Sequence, residues 1–267
     1  MNKSKTKITL DIAVLTAGRV DLFEKCIDAI LPQMEDGFKI HVFNNGFPSP
    51  EYERIYKKLP EGSAIRRTNS NVGFPNGANS AIRSGNAPMV LFITDDIFLH
   101  PGAITTLLYG MQQDESIGIM GYKLLFPEDS YESTRPAGKV QHIGMASNIR
   151  GEMIHPLIGW SPDNPKCNIS RDVLAVTGAS FMIRRAVFNK AGGFNPIYGK
   201  GYYEDMDLCF TIRSHGKRVF VNTDAVATHG VGQTFKNDTA QPPIQQNQMI
   251  FRSRWIGQMP WTEFEMF

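Results

Sequence analysis

The chain predicts an α/β fold with a Rossmann-like, mixed but mostly parallel sheet flanked by helices. Three observations carry this expectation. Strand-like and helix-like segments alternate from residue 8 to residue 111. Met89-Val90-Leu91-Phe92-Ile93 is an almost uninterrupted apolar run, as in a strand buried on both faces. Thr16-Ala17-Gly18-Arg19, Asn44-Asn45-Gly46 and Thr94-Asp95-Asp96 each follow a strand-like segment, and in open α/β sheets ligands sit outside such carboxyl ends.

The elements follow in order. Residues 8–15 read as the first strand. Asp21 then caps a helix, with Glu24 three residues on, a variant of the capping box. Leu22, Phe23, Cys26, Ile27, Ile30, Leu31 and Met34 give that helix one apolar face. Residues 39–43 form a short second strand, 50–59 a helix, and a short strand lies near Ile65. Residues 75–84 form a small-residue helix, 88–93 the buried strand and 102–111 a further helix. The second half is less regular. Residues 127–165, rich in Gly, Pro, Ser and Asn, read as loops with short strands. Residues 173–183 are strand-like but interrupted by Gly178-Ala179-Ser180. Residues 185–191 form a short helix stopped by Gly192-Gly193, 205–214 a helix ended by Gly216, and 218–221 a strand.

A length of 267 residues, with 42% hydrophobic and 20% charged content, fits one ordinary soluble domain or two small ones, and no linker divides it. A net charge of +2 gives no electrostatic case for nucleic acid. The first seven residues hold three lysines with no apolar stretch of signal-peptide type after them, and no segment reaches membrane-spanning length. Residues 8–15 are too short to span and are broken by Asp11. Cys26, Cys167 and Cys209 are too widely spaced for a disulfide framework or a zinc site, which favours a reducing cytoplasm, with peripheral membrane attachment left open.

Adjacent carboxylates at the end of a buried strand repel each other. A divalent cation relieves that repulsion and can hold substrate phosphates, so Asp95-Asp96 points to a metal-dependent enzyme acting on a nucleotide diphosphate. A solvated turn is the alternative. Glu204-Asp205 opens a helix, where the amino-terminal dipole stabilises an ionised carboxylate suited to general-base work. Helix capping is the other reading, and Asp207, two residues on, points elsewhere and serves structure. His229 follows a strand-like segment and, as neutral imidazole, is either a further ligand for Mn²⁺ or a structural histidine. His142 and His155 lie in the loop-rich middle, within reach of an acceptor or in structural roles, and His215 ends a helix.

In their order these segments resemble the family 2 glycosyltransferases of the GT-A fold, the fold of nucleotide-diphospho-sugar transferases, and especially their rhamnosyltransferase-like bacterial branch. The resemblance rests on residues 12–30 with Thr16 and Arg19, the 71–79 segment from Asn71 through Gly73 to Asn79, and Thr94-Asp95-Asp96 as the DxD-type motif. It continues in residues 178–185, Gly192-Gly193-Phe194-Asn195, residues 203–213 and His229. It implies a GT-A domain over 1–240, with a nucleotide-binding half (about 8–111) and an acceptor half (about 112–240), then a carboxyl-terminal extension over 241–267. That extension, with Ile250, Phe251 and Trp255 in a semi-helical pattern, would pack on the domain, dimerise or graze a membrane.

The resemblance further implies Asp96, with His229, as ligands of Mn²⁺ or Mg²⁺, and Asp95 facing ribose or donor sugar. Thr16 and Ala17 would lie against the base, with Arg19 near phosphate. Asn44 stands where relatives carry a base-reading aspartate. Asn71, Gly73 and Asn79 would lie near the donor, and Gly178 and Ala179 near its sugar. Asp205 would be the general base of an inverting transfer, with Glu204 orienting the acceptor or supporting the base. The donor would be a UDP- or dTDP-linked sugar and the acceptor a saccharide or lipid-linked saccharide. Three alternatives make different demands on the sequence. A nucleotidyltransferase would need a Gly-rich loop with Arg and Lys where Thr16-Ala17-Gly18-Arg19 stands. A non-catalytic sugar- or nucleotide-binding module would have no need of a base, and a transferase acting on a modified nucleic-acid base would be expected to be basic.

Overall fold

The computed structural model describes residues 9–47, 49–130, 135–148, 152–230 and 243–258. The amino-terminal lysines, Ile8 and Gln241 lie outside them. In chain order the strands are β1 (Leu10–Thr16), β2 (Phe38–Asn45), β3 (Ala64–Thr68), β4 (Met89–Thr94), β5 (Ile97–Leu99), β6 (Ile117–Leu125), β7 (Val140–His142), β8 (Ala146–Ser147), β9 (Met153–Ile154), β10 (Arg171–Asp172), β11 (Ser180–Arg184) and β12 (Arg218–His229). The helices are α1 (Val20–Ile30), α2 (Pro50–Tyr56), α3 (Phe74–Ile82), α4 (Ala103–Gln113), α5 (Arg185–Ala191), α6 (Glu204–Ser214) and α7 (Ile244–Trp255).

The main sheet runs β10-β12-β6-β11-β4-β1-β2-β3, with β5 on β12 and β7 on β6. β3, β2, β1 and β4 are parallel. β11 runs antiparallel between β4 and β6, and β12 returns parallel to β6. Every residue of β1 is buried because the strand has helices on both sides. Leu10, Ile12 and Val14 face a core shared with α1, α2 and α4. Ala13 and Leu15 face a second core with α3, α5 and α6. This alternation makes the molecule three layers deep and brings the carboxyl ends of β1 and β4 to one edge.

Several elements differ from the sequence reading. Asp21 does not cap α1: Arg19 holds the cap position with no side-chain cap, and Asp21 pairs with it at 2.9 Å. α2 ends at Tyr56 and takes its cap from Ser49. β6, in the middle of the sheet, has no counterpart in the sequence reading. Gly118 and Gly121 look like breakers there, yet a Cβ at Gly121 would lie 2.7 Å from Val176 Cγ1, so the strand needs the small residue for packing. β12 is one long strand with an irregularity between Asn222 and Val226, and the strand after residue 173 begins only at Ser180.

At the amino end of β1, Asp11 is 1% exposed and fully partnered. It receives His41 Nε2 at 2.8 Å, Arg185 Nη2 at 2.6 Å and the Ala87 N–H at 2.7 Å. Burial alone would raise its pKa, but the hydrogen bonds from His41 and Ala87 and the nearby charges win and lower it.

Candidate active site

At the opposite pole a cavity of about 830 Å³ opens between the ends of β1, β4, β7 and β12 and the start of α6. Ala17, Arg19, Asn71, Gly73, Asp95, Asp96, Gly178, Ala179, Glu204, Asp205 and His229 all line it. Residues separated by more than 200 positions thus meet around one cavity.

Asp95 Oδ2 accepts the Thr16 hydroxyl at 2.7 Å and the Ala17 N–H at 3.1 Å. Burial and the neighbouring Asp96 charge nevertheless push Asp95 up to about 7. Asp96 is also buried, but the charge of His229 and hydrogen bonds from His229 and Thr94 outweigh burial and lower its pKa. The two shifts belong to one pair sharing a proton.

The geometry around His229 tests whether a cation fits. Gln141 Nε2 donates to the His229 carbonyl at 3.1 Å, which fixes its Oε1 as the acceptor of His229 Nδ1 at 2.6 Å. The proton therefore sits on Nδ1, and in neutral imidazole the Nε2 lone pair faces Asp96 Oδ2 at 3.4 Å. Two acceptors that close need a shared positive charge, either a proton on the imidazole or a metal ion between oxygen and nitrogen. The donor set suits Mn²⁺ or Mg²⁺ on the carboxylate side and Mn²⁺ with imidazole. Among the described residues no group of three or more His, Cys, Asp or Glu is arranged to hold a metal, and Asp96 and His229 are the pair that would hold one.

Across the cavity, Asp205 Oδ2 accepts the Gly178 N–H at 2.8 Å and Oδ1 accepts the Met206 N–H at 2.8 Å. Burial raises its pKa, and these backbone donors offset part of that. Glu204 is pushed well above the carboxylate range by burial and by the Asp205 charge. Its Oε2 has no hydrogen-bond partner among the described residues. Both shifts favour the protonated form, and the charge of Asp205 adds to the rise at Glu204, so Glu204 is the acid that keeps its proton to the higher pH. Asp207 points away into the core, accepting Trp255 Nε1 at 2.7 Å.

Three expected contacts do not reach the cavity. Thr16 is fully buried, its hydroxyl between Tyr52 and Asp95. Asn44 is turned inward onto Phe47 and Tyr56, whereas Asn45, on the other face of β2, lines the cavity and bonds Asn71 and Val72. Asn79 clamps the Phe194 backbone through both its N–H and its carbonyl. Gly73 shapes the wall: its φ is +84°, and a Cβ would stand 2.4 Å from the Gly199 carbonyl oxygen. Sequence reading missed Gln141, which carries no motif. His142 lines the cavity with Nε2 accepting the Thr177 N–H, which leaves its Nδ1 proton to His155 Nδ1 at 3.0 Å.

A curated relative named O-antigen biosynthesis protein RfbC, from Myxococcus xanthus, is 26% identical over 82% of this chain and 17% of its own length. An N-acetylglucosaminyl-diphospho-decaprenol L-rhamnosyltransferase of Mycobacterium tuberculosis is 30% identical over 56% of this chain and 48% of its own. The chain thus spans less than half of these relatives. Among solved structures, GalNAc-T7 with UDP, GalNAc and Mn²⁺ superposes with a TM-score of 0.70 at 11% identity, over 94% of this chain and 49% of that one. A mannosyltransferase from Pyrobaculum calidifontis with GDP-Man and Mn²⁺ gives 0.59 at 13% identity, over 85% and 58%. These likenesses establish the GT-A fold. Residues 12–247 match the family described as "Glycosyltransferase like family 2", and the chain belongs to that family.

Proposed function

We propose that the protein is an inverting, metal-dependent glycosyltransferase that moves a sugar from a nucleoside-diphosphate sugar to a hydroxyl of a saccharide or lipid-linked saccharide. The observation that carries this is one cavity with two acid pairs in opposite settings. Asp96 faces His229 across a gap that calls for positive charge, and Asp205, held by the Gly178 and Met206 N–H groups, adjoins Glu204, whose pKa is raised by burial and by the Asp205 charge.

Asp96 and His229 would hold Mn²⁺ or Mg²⁺, consistent with the Mn²⁺ in both structural neighbours. When bound, that ion supplies charge neutralisation on the departing diphosphate. Ala17, Arg19, Asn45, Asn71 and Gly73 would seat the nucleotide, and Gly178 and Ala179 the donor sugar. Thr16 acts indirectly by holding Asp95. Asp205 takes the proton of the acceptor hydroxyl as its oxygen attacks the anomeric carbon. The bond from that carbon to the diphosphate oxygen breaks, and the nucleoside diphosphate leaves with the electron pair. Glu204 donates a hydrogen bond that orients the acceptor. UDP or dTDP is the favoured nucleotide.

The main transferase domain is about residues 1–240, with a donor half over 8–111, and α7 of the carboxyl-terminal extension packs against it. A cytoplasmic place, with peripheral contact to a membrane carrying the acceptor, goes with this reading. No helix among the described residues is long and apolar enough to cross a membrane.

The test is a panel of nucleotide sugars incubated with the protein, with and without Mn²⁺, scored for released nucleoside diphosphate. Slow donor hydrolysis needs no known acceptor. Metal-dependent release from one donor, lost in Asp96→Ala, is expected. Absence of both release and calorimetric binding with every donor would overturn the proposal.

A further inference from the structure

The family match ends at Asn247, so most of α7 lies beyond it. Phe251 and Trp255 join Leu174, Tyr198 and Phe210 in a small core of their own. The buried polar contacts of α7 go to the segment that carries Glu204 and Asp205. Asn247 is 1% exposed, and its Nδ2 donates to the carbonyls of Tyr198, Gly201 and Tyr202 at 3.0, 2.7 and 3.1 Å. Trp255 Nε1 and Arg254 Nε reach Asp207 Oδ1 at 2.7 and 2.9 Å, and the Tyr203 ring packs on Phe251 at 5.7 Å.

The backbone held this way is one that a chain does not keep unaided. Tyr202 and Tyr203 have φ of 72° and 75°, consecutive left-handed residues that are not glycine. Such backbone persists only where its surroundings over-determine it, and it gathers at functional sites. Tyr203 is also the N-cap of α6 and makes no side-chain cap, so the loop and its clamp set where the helix begins. Asp205 is two residues further on.

We propose that α7 is part of the catalytic apparatus, with Asn247 as a positioning residue that fixes the left-handed path of residues 198–203 and thereby aims Asp205 into the cavity. This rests on Asp205 acting as the base. Asn247 itself touches no substrate.

The experiment is Asn247→Ala in the full chain, assayed for metal-dependent hydrolysis of the donor found in the panel. Water is then the acceptor, so the rate reads the placement of Asp205. A misplacement of about 1 Å costs about a hundredfold, so kcat should fall on that scale while donor KM changes by less than about twofold. Adding Tyr202→Gly should restore part of the rate, because glycine adopts positive φ without strain. Simple loss of packing would not be mended by removing a side chain. Met249→Ala, on the face of α7 that is 70% exposed at that residue, should change nothing. Hydrogen exchange of amides 198–205 should quicken in Asn247→Ala and stay unchanged in Met249→Ala, which tests the clamp even if no donor turns over. Should Asn247→Ala fail to fold, Trp255→Phe keeps an aromatic ring in the core while removing the indole donor to Asp207, and should give the same split at smaller amplitude. A lowered melting temperature with kcat and local exchange both unchanged overturns the proposal. Equal losses in kcat and donor affinity do so too.

Discussion

Asp11 and Asp95 stand at opposite ends of the same two neighbouring strands, 1% and 3% exposed, and their pKa values move in opposite directions. Asp11 has a guanidinium, an imidazole and a backbone N–H around it. Asp95 has a hydroxyl, a backbone N–H and a second carboxylate. Glu204 and Asp205 again set two carboxylates side by side, and burial raises the pKa of both. Burial alone therefore does not mark a functional acid. The balance of partners does: Asp11 has a guanidinium and an imidazole in contact, whereas burial and a neighbouring carboxylate dominate at Asp95 and Glu204, with the charge of Arg19 the least of the influences on Asp95.

The comparison breaks first at Asp205. Asp205→Asn keeps the shape and removes the base, so donor hydrolysis should fall about 10²–10⁴-fold, the range of general-base catalysis. Donor affinity by calorimetry should stay, and the melting temperature should hold or rise, since a buried charge beside Glu204 is gone. Retention of the rate would remove Asp205 from the mechanism. Asp11→Ala should do the reverse. It leaves the mostly buried Arg185 guanidinium, its side chain 13% exposed, without its carboxylate and should cost about 3 kcal/mol in urea unfolding, with kcat per folded molecule unchanged. Gln141→Ala gives a smaller effect. It releases the His229 tautomer and should weaken apparent Mn²⁺ affinity about 10–100-fold, as loss of an outer-shell partner does. Unchanged Mn²⁺ affinity would make His229 a structural residue.

The same contrast explains what could be read from the chain. The period of α1, the apolar run of β4 and the acids at strand and helix ends are local patterns, and each survives in the structure. Asp11 is visible in the sequence only as a break in an apolar run, because its partners His41 and Arg185 lie 30 and 174 residues away. Gln141 is 88 residues before His229 and reaches it only because β7 and β12 both pair with β6. That strand was itself hidden by two glycines that pack rather than turn. Asn44 and Asn45 differ by one residue, and a period of two puts one inward and the other on the cavity. What was missed depends on sheet pairing and register, which no short window contains.

The finest test is in pH, where the two poles should part. Transfer needs Asp205 ionised, so kcat is full above its folded pKa and is lost as pH falls through it. Burial raises that pKa, so the acid limb of donor hydrolysis should lie above the ordinary carboxylate value of 3.8. Stability follows the opposite sign at the two ends. Raised acids hold their protons longer folded than unfolded, so protonating Glu204 and Asp205 favours the folded chain as pH falls through their folded pKa values. Asp11, with its pKa lowered, contributes stability that is present above the unfolded pKa and lost as pH falls through the folded one. Activity should therefore fail at a higher pH than the fold does. Paired pH profiles of kcat and of the urea midpoint, from about pH 4 to about pH 8, measure the gap. Asp11→Ala should flatten the acid side of the stability profile and leave the activity limb where it was. Coincident limbs in the wild-type chain would mean that acid inactivation is unfolding, and that the ionisation of Asp205 is not what sets the rate.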